Sequence, residues 1–208
     1  MLFRNLYTPE HEYKLLTKKE TDVLVKENAI SENLCDEIYS WALRNVLGHN
    51  QTEPVVFWTN MAWERNIVRD STPVICMKLS NSLRDRVQKE LQDLGIINLE
   101  KHLTFEENNN SGCMAYVWTH NSYIAEHSDS HAAKTLTLYL NREWSFGEGG
   151  NFNWYDKDSK EWKVIVPKFN TLVENFGGIL HSTTPVKSTQ QLRVTLQMFI
   201  IDKEKEDI

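Results

Sequence analysis

The sequence predicts a mainly β protein with flanking helices, and three observations carry that prediction. Past the polar stretch ENNNSG at residues 107 to 112 come six short runs rich in β-branched and aromatic residues: CMAYVW, KTLTLYL, GNFNWYD, EWKVIV, TLVENF and RVTLQMFII. They recur about every 10 to 15 residues with Asn, Gly, Asp and Pro in the gaps, a spacing that favours an antiparallel sandwich or barrel over alternating strand–helix units. Ahead of them, the apolar residues fall instead at helical spacing.

The elements follow in chain order. TDVLVKENAIS reads as a short strand ending at Ser31, the expected N-cap of a helix over ENLCDEIYSWALRNV, where Leu34, Ile38, Trp41 and Leu43 recur near helical spacing and Gly48 ends the run. A second helix carries stronger signals. Thr72 is its expected N-cap and Pro73 its first residue; Leu79, Leu83, Val87 and Leu91 recur every fourth position, and Gly95 lies past its end. Between the two helices, QTEPVVFWTNMAWERNIVRD has no clean period and is expected to be a long irregular connection, with Trp58 and Trp63 either in the core or at a pocket rim.

Composition narrows the function. The chain has 208 residues and a formal charge of -6, with no basic cluster beyond Lys18 and Lys19, so nothing in it draws a phosphate backbone and no nucleic-acid partner is expected. Cys35, Cys76 and Cys113 are widely spaced with no CxxC pair, which reads as reduced thiols. No apolar run approaches the roughly 20 residues of a bilayer crossing, and MLFRNLYTPEHEYK is too polar and acidic for a signal or transit peptide. A cytoplasmic protein without a membrane partner is the expectation.

The chemistry concentrates in EHSDSH, residues 126 to 131. In an extended segment His127 and Asp129 leave the same face, as two ligands of one metal must. That pair alone is a weak signal. His181 follows in NFGGILHSTTP, where Gly177 and Gly178 allow a tight turn that presents the histidine inward, and Arg193 opens the run RVTLQMFII. Two histidines and one carboxylate form the facial triad of non-haem Fe(II) oxygenases, which leaves positions open for a co-substrate and O₂. An arginine buried on a strand is costly unless it meets an anion. A dicarboxylate that chelates the metal at one end and meets Arg193 at the other satisfies both.

In this ordered set the chain resembles the Fe(II)- and 2-oxoglutarate-dependent dioxygenases, in particular their prolyl 4-hydroxylase-like branch. The motifs are HSD at 127 to 129, LTLYLNREW at 136 to 144, GEGGNF at 147 to 152, PKFNTLVENF at 167 to 176, His181 and Arg193. The resemblance covers residues 113 to 200 and reaches back more weakly to VLVKENAISENLCDEI. It implies a double-stranded β-helix, a cupin-like jelly-roll with N-terminal α-helices packed on one sheet. The chain is then one domain over 1–208, with a helix-rich part at 1–110, the catalytic core at 111–201 and a charged tail at 202–208.

By the same resemblance His127, Asp129 and His181 are the iron ligands, and Arg193 is the partner of the distal 2-oxoglutarate carboxylate. Tyr139 supports that carboxylate and Tyr116 reaches the iron-proximal end, while Thr195, two residues after Arg193 on the same strand face, is expected to line the pocket. The segment between His181 and Arg193 is a few residues longer than is usual in the family. The implied co-substrates are 2-oxoglutarate and O₂, with L-ascorbate as reductant, and the implied reaction hydroxylates an unactivated C–H bond as 2-oxoglutarate is decarboxylated to succinate.

A peptidyl proline is the implied substrate, and a free amino acid or other small molecule is the alternative. Nucleic-acid demethylation is disfavoured, because Phe199 stands where such enzymes carry a second arginine. A non-catalytic metal-binding jelly-roll is the reading from another class, since His and Asp also suit zinc. Arg193 and Tyr139 argue against it, because a zinc site needs no co-substrate anchor.

Plainer roles are expected elsewhere. His131 is expected at the rim or in solvent, and His11, His49, His102 and His120 at the surface. Trp118, Trp144, Trp154 and Trp162 read as core, Gly149 and Gly150 as a turn device, and Asp156 and Asp158 as the flanks of a hairpin turn.

Overall fold

The computed structural model describes residues 23–48, 74–98, 113–129, 132–176 and 178–201, together with the main chain of 4–5, 55–58, 102–104 and 202. In chain order the elements are β1 (Arg4–Asn5), β2 (Leu24–Glu27), α1 (Glu32–Val46), β3 (Val55–Trp58), β4 (Val74–Lys78), α2 (Asn81–Asp93) and β5 (His102–Thr104). There follow β6 (Cys113–Trp118), β7 (Ile124–His127), β8 (Lys134–Tyr139), a 3-10 turn (Phe146–Glu148), β9 (Phe152–Asp156), β10 (Glu161–Ile165), β11 (Thr171–Phe176), β12 (His181–Thr183) and β13 (Arg193–Asp202).

The strands form two sheets. The larger runs β2-β11-β8-β13-β6-β4-β3, with β5 added along the end of β13; the smaller runs β1-β10-β9-β12-β7. All pairs are antiparallel except β1 with β10. Six of the strands are the six β-rich runs of the sequence. Alternation along the larger sheet then divides its residues between two cores. Val194, Leu196, Met198 and Ile200 of β13, Ala115 and Val117 of β6, and Leu136 and Leu138 of β8 pack in one cluster with Leu34, Ile38 and Ala42 of α1 and Leu83, Val87 and Leu91 of α2. The opposite face of the same strands looks toward the smaller sheet, which leaves a cleft between the sheets for chemistry.

The helices lie antiparallel on the outer face, tied by Arg86 to Glu37 at 2.6 Å and by Ser31 to Glu90. Helix α1 spans the residues its periodicity marks, and Gly48 follows its end with φ +79°. Ser31 occupies the N-cap position but makes no side-chain cap bond: its hydroxyl donates to Glu90 at 2.8 Å, so it joins the two helices instead of closing one.

The second helix corrects the sequence expectation. Helix α2 begins at Asn81 after Ser80, and Val74–Lys78 is a strand, while Thr72 and Pro73 lie outside the described residues. VICMK is paired on both edges, to β3 and to β6, and that ladder overrides the helical period, although Leu79, Leu83, Val87 and Leu91 are all buried. The connection expected to be irregular likewise contains β3, which pairs with β4; Trp63 and the Trp58 side chain lie outside the described residues.

One polar device sits in the helix-facing core. Lys134 Nζ, at the start of β8, donates to Glu174 at 2.8 Å and to the carbonyl of Ile96 just past α2, and both side chains are nearly buried. The three cysteines are buried and none forms a disulfide with another, as expected of reduced thiols.

Candidate active site

The site is assembled by the short pair β7 and β12, which places His127 directly opposite His181. Asp129 follows two residues after β7 and is 4% exposed. Its Oδ1 lies 3.6 Å from His127 Nε2 and its Oδ2 3.4 Å from His181 Nε2. One donor atom from each of the three side chains falls within 4.8 Å of the others, and they are the one such cluster among the described residues.

Local contacts aim both imidazoles. His127 Nδ1 lies 2.8 Å from the carbonyl of Ala125, and His181 Nδ1 lies 2.9 Å from the carbonyl of Ile179, the chain's own carbonyl two residues back in each case. A proton on each Nδ1 satisfies those carbonyls and leaves both Nε2 lone pairs directed at Asp129, the tautomer a metal ligand needs. The side-chain amide of Asn175, buried on β11, sits 3.0 Å from His181 Nδ1, and the Phe152 ring stacks on the imidazole at 5.3 Å. The turn before His181 is present, with Ile179 N–H donating to Phe176 O at 2.9 Å; Gly178 keeps a negative φ there, and Gly177 lies outside the described residues. Two imidazoles and a carboxylate on a nearly buried wall can hold one divalent iron.

Arg193, the first residue of β13, lines the same cleft as the triad. It is 2% exposed, with its guanidinium carbon 4.6 Å from the Trp118 ring centre and 5.3 Å from that of Tyr139. Its Nε and Nη1 and the Tyr139 hydroxyl have no hydrogen-bond partner among the described residues. Burial pushes the arginine down to about 10 and the Tyr139 hydroxyl up. A buried cation without an anion costs several kcal/mol. Two unpartnered N–H donors beside a phenol fit a carboxylate, and so fit the distal end of 2-oxoglutarate.

Between the two ends the inner face of β8 and β13 forms rungs. Thr195 stands opposite Tyr139, Gln197 opposite Thr137, and Phe199 opposite Thr135, with Gln197 Nε2 donating to Thr137 Oγ1 at 3.2 Å. The cleft takes walls from both sheets.

Two of the expected lining residues, Thr195 and Tyr116, are buried. Thr195 is fully buried and its hydroxyl accepts from Trp118 Nε1 at 3.0 Å. Tyr116 packs beside Trp118, and burial raises its hydroxyl, with the Cys76 thiol and Asp129 as lesser causes. Trp118 is core as expected, 1% exposed, and it also presents its ring to Arg193 and lines the cleft. Trp154 is core as expected, and Trp144 donates from Nε1 to Gly149 O at 2.9 Å. His120 is exposed, and His131 lies outside the described residues.

A jelly-roll whose mouth gathers two imidazoles and a carboxylate is the architecture of a non-haem iron oxygenase. Residues 111–201 match the family model of the 2OG-Fe(II) oxygenase superfamily. Among solved structures, a prolyl hydroxylase from Trichoplax adhaerens, in complex with a hypoxia inducible factor oxygen degradation domain peptide fragment, superposes with a TM-score of 0.65 at 14% identity over 88% of this chain and 85% of that one. A Pseudomonas putida prolyl-4-hydroxylase gives 0.58 at 14% identity over 87% and 92%, and the epimerase SnoN from nogalamycin biosynthesis gives 0.61 at 13% identity over 86% and 77%. At such identities the likeness is one of fold. No curated protein matches the chain in sequence. The expected jelly-roll is therefore found, the expected superfamily is the one whose model matches residues 111–201, and Fe(II) with 2-oxoglutarate is the cofactor set that goes with it.

Proposed function

We propose that this oxygenase hydroxylates an unactivated C–H bond of a peptidyl proline. The observation that carries the oxygenase chemistry is the unpartnered buried guanidinium of Arg193 beside the unpartnered Tyr139 hydroxyl, in one cleft with His127, Asp129 and His181. In this reading the three donors hold Fe(II), and Arg193 and Tyr139 receive the distal carboxylate of 2-oxoglutarate. Bound iron supplies, with 2-oxoglutarate and O₂, decarboxylation to succinate and CO₂ and delivery of one oxygen atom to the substrate.

The chain's own part is placement and dryness. Ala125 O and Ile179 O keep both Nε2 atoms unprotonated toward the metal. Trp118 and Phe152, with the Gln197–Thr137 bond, wall the co-substrate against water. Tyr116 keeps the role proposed for it at the iron-proximal end, and Thr195 acts through Trp118. The proline assignment rests on the motif resemblance and on prolyl hydroxylases among chains of the same fold, one of them with a peptide bound.

The experiment loads the protein anaerobically with Fe(II), titrates 2-oxoglutarate while following the weak visible band of the chelate, then admits O₂ and assays succinate. It is run with proline-containing peptides and with free amino acids, with and without L-ascorbate. A band, succinate and peptide hydroxylation are expected. Turnover on a small molecule alone moves the substrate class, and tight zinc without a band returns the chain to a binding module.

A further inference from the structure

The guanidinium of Arg193 forms no ion pair among the described residues, so something else sets its position. Two of its sides are aromatic, at 4.6 Å from Trp118 and 5.3 Å from Tyr139. The indole is itself held, because its Nε1 donates to Thr195 at 3.0 Å. Aromatic faces resist tilting but leave the stem of the side chain room to shift along them. A third side closes that freedom. The main chain of Gly150 lies against the stem so closely that a Cβ there would stand 2.6 Å from Cδ, 2.7 Å from Nε and 3.4 Å from Cζ of Arg193.

Gly150 has no room to retreat. It has φ +65°, its N–H donates to Pro185 O at 3.3 Å, and its neighbour Gly149 bridges Val186. Val186 is pinned in turn from the turn after β6: it accepts from Asn121 N–H at 2.8 Å and donates to Ser122 O at 3.0 Å. The long segment between His181 and Arg193 is thus clamped to the glycine pair on one side and to the β6–β7 turn on the other.

We propose that Gly150 is a positioning residue for co-substrate recognition: its bare main chain, together with the indole locked by Thr195, forms a sleeve that sets where the Arg193 guanidinium stands to meet a distal carboxylate. The inference rests on the reading that Arg193 receives that carboxylate. A side chain at position 150 displaces the guanidinium and weakens binding of a dicarboxylate 2-oxo acid, yet leaves the metal end of the cleft as it is.

The test compares 2-oxoglutarate with 2-oxobutyrate, which chelates iron equally but lacks the distal carboxylate, by anaerobic titration of the Fe(II)-loaded protein on the chelate band. The wild type is expected to prefer 2-oxoglutarate by about tenfold or more, the worth of a charge-assisted pair. Gly150→Ala is expected to lose about tenfold in 2-oxoglutarate affinity with 2-oxobutyrate held within about twofold and iron stoichiometry unchanged. Gly150→Asn separates contact from backbone strain, since asparagine tolerates positive φ: the sleeve predicts the same loss as alanine, whereas strain alone predicts recovery. Thr195→Val, nearly the same shape, frees the indole and is expected to cause a smaller loss of the same selectivity; it carries the test if the Gly150 variants do not fold. A wild type with no preference for 2-oxoglutarate overturns the role of Arg193 itself. A wild-type preference that the variants keep, or an equal loss for both acids, overturns the sleeve alone.

Discussion

Replacing Arg193 with methionine sets the cost of the buried cation against its use. Burial depresses the arginine from its ordinary value to about 10, and at 1.36 kcal/mol per unit this is roughly 3 kcal/mol of destabilisation at neutral pH. The sign follows from proton counts: between about 10 and the ordinary arginine value the unfolded chain binds more protons than the folded one, so stability rises with pH across that window and the penalty is present in full below it. Contacts with the Trp118 and Tyr139 rings return about 1 kcal/mol each. Methionine is unbranched, fills the slot between the rings and carries no unpaired N–H. The ligand-free, metal-free variant is therefore expected to be about 1 kcal/mol more stable than wild type, seen as a higher urea midpoint at unchanged m. With Fe(II) and 2-oxoglutarate the order reverses. Saturating ligand at a hundred times Kd adds about 2.7 kcal/mol to the wild type, and the variant lacks the share due to the distal carboxylate. A ligand-free variant destabilised by more than about 2 kcal/mol would refute the reasoning, since it would mean that the protein itself neutralises the cation.

Other outcomes follow from the same contacts. His127→Ala and Asp129→Ala are expected to abolish iron binding in metal analysis, whereas Arg193→Ala retains iron and loses mainly 2-oxoglutarate; the opposite pattern would exchange the two ends of the cleft. Lys134→Met strands Glu174 in the helix-facing core and is expected to cost about 3 to 5 kcal/mol in denaturant unfolding, most of it recovered in Lys134→Met/Glu174→Leu, which removes both charges. Burial pushes the Cys35 thiol up to about 12 and the Cys76 thiol higher still, so both stay protonated at pH 8 and are expected to react with a thiol reagent only at the rate of unfolding. Reaction faster than global unfolding would show that the core around them opens locally.

Much of this protein was legible in its residues because the signals are local or chemical. The six β-rich runs alternate or cluster as strands do, α1 carries its own period and its own stop, and His127, Asp129, His181 and Arg193 belong to the few residue types that bind metals and anions. Those four do line one cleft. Where local signals conflicted, pairing decided. VICMK sits in phase with the leucines of α2 and reads as helix, but β3 and β6 claim both its edges and hold it as strand. Strands β7 and β12 are too short to show a period of their own and are held by pairing, β7 to β12 and β12 also to β9.

The cleft's inner order was set by register, which no local window contains. Trp118 faces Arg193 because the two stand opposite each other across β6 and β13, 75 positions apart in sequence (193 − 118). Gly150 looked like a turn residue, and it is one, but its contact with the arginine stem arises only once Val186 is clamped to the β6–β7 turn. Thr195 lies on the expected face, yet its hydroxyl is taken by Trp118 and not by the cleft. The sequence by itself determined the strand-rich class, the family resemblance and the set of candidate donor atoms, because identity and short-range period are properties of the chain. Which donor faces which partner was decided by the tertiary structure, because alignment of distant strands depends on burying both faces of the larger sheet at once.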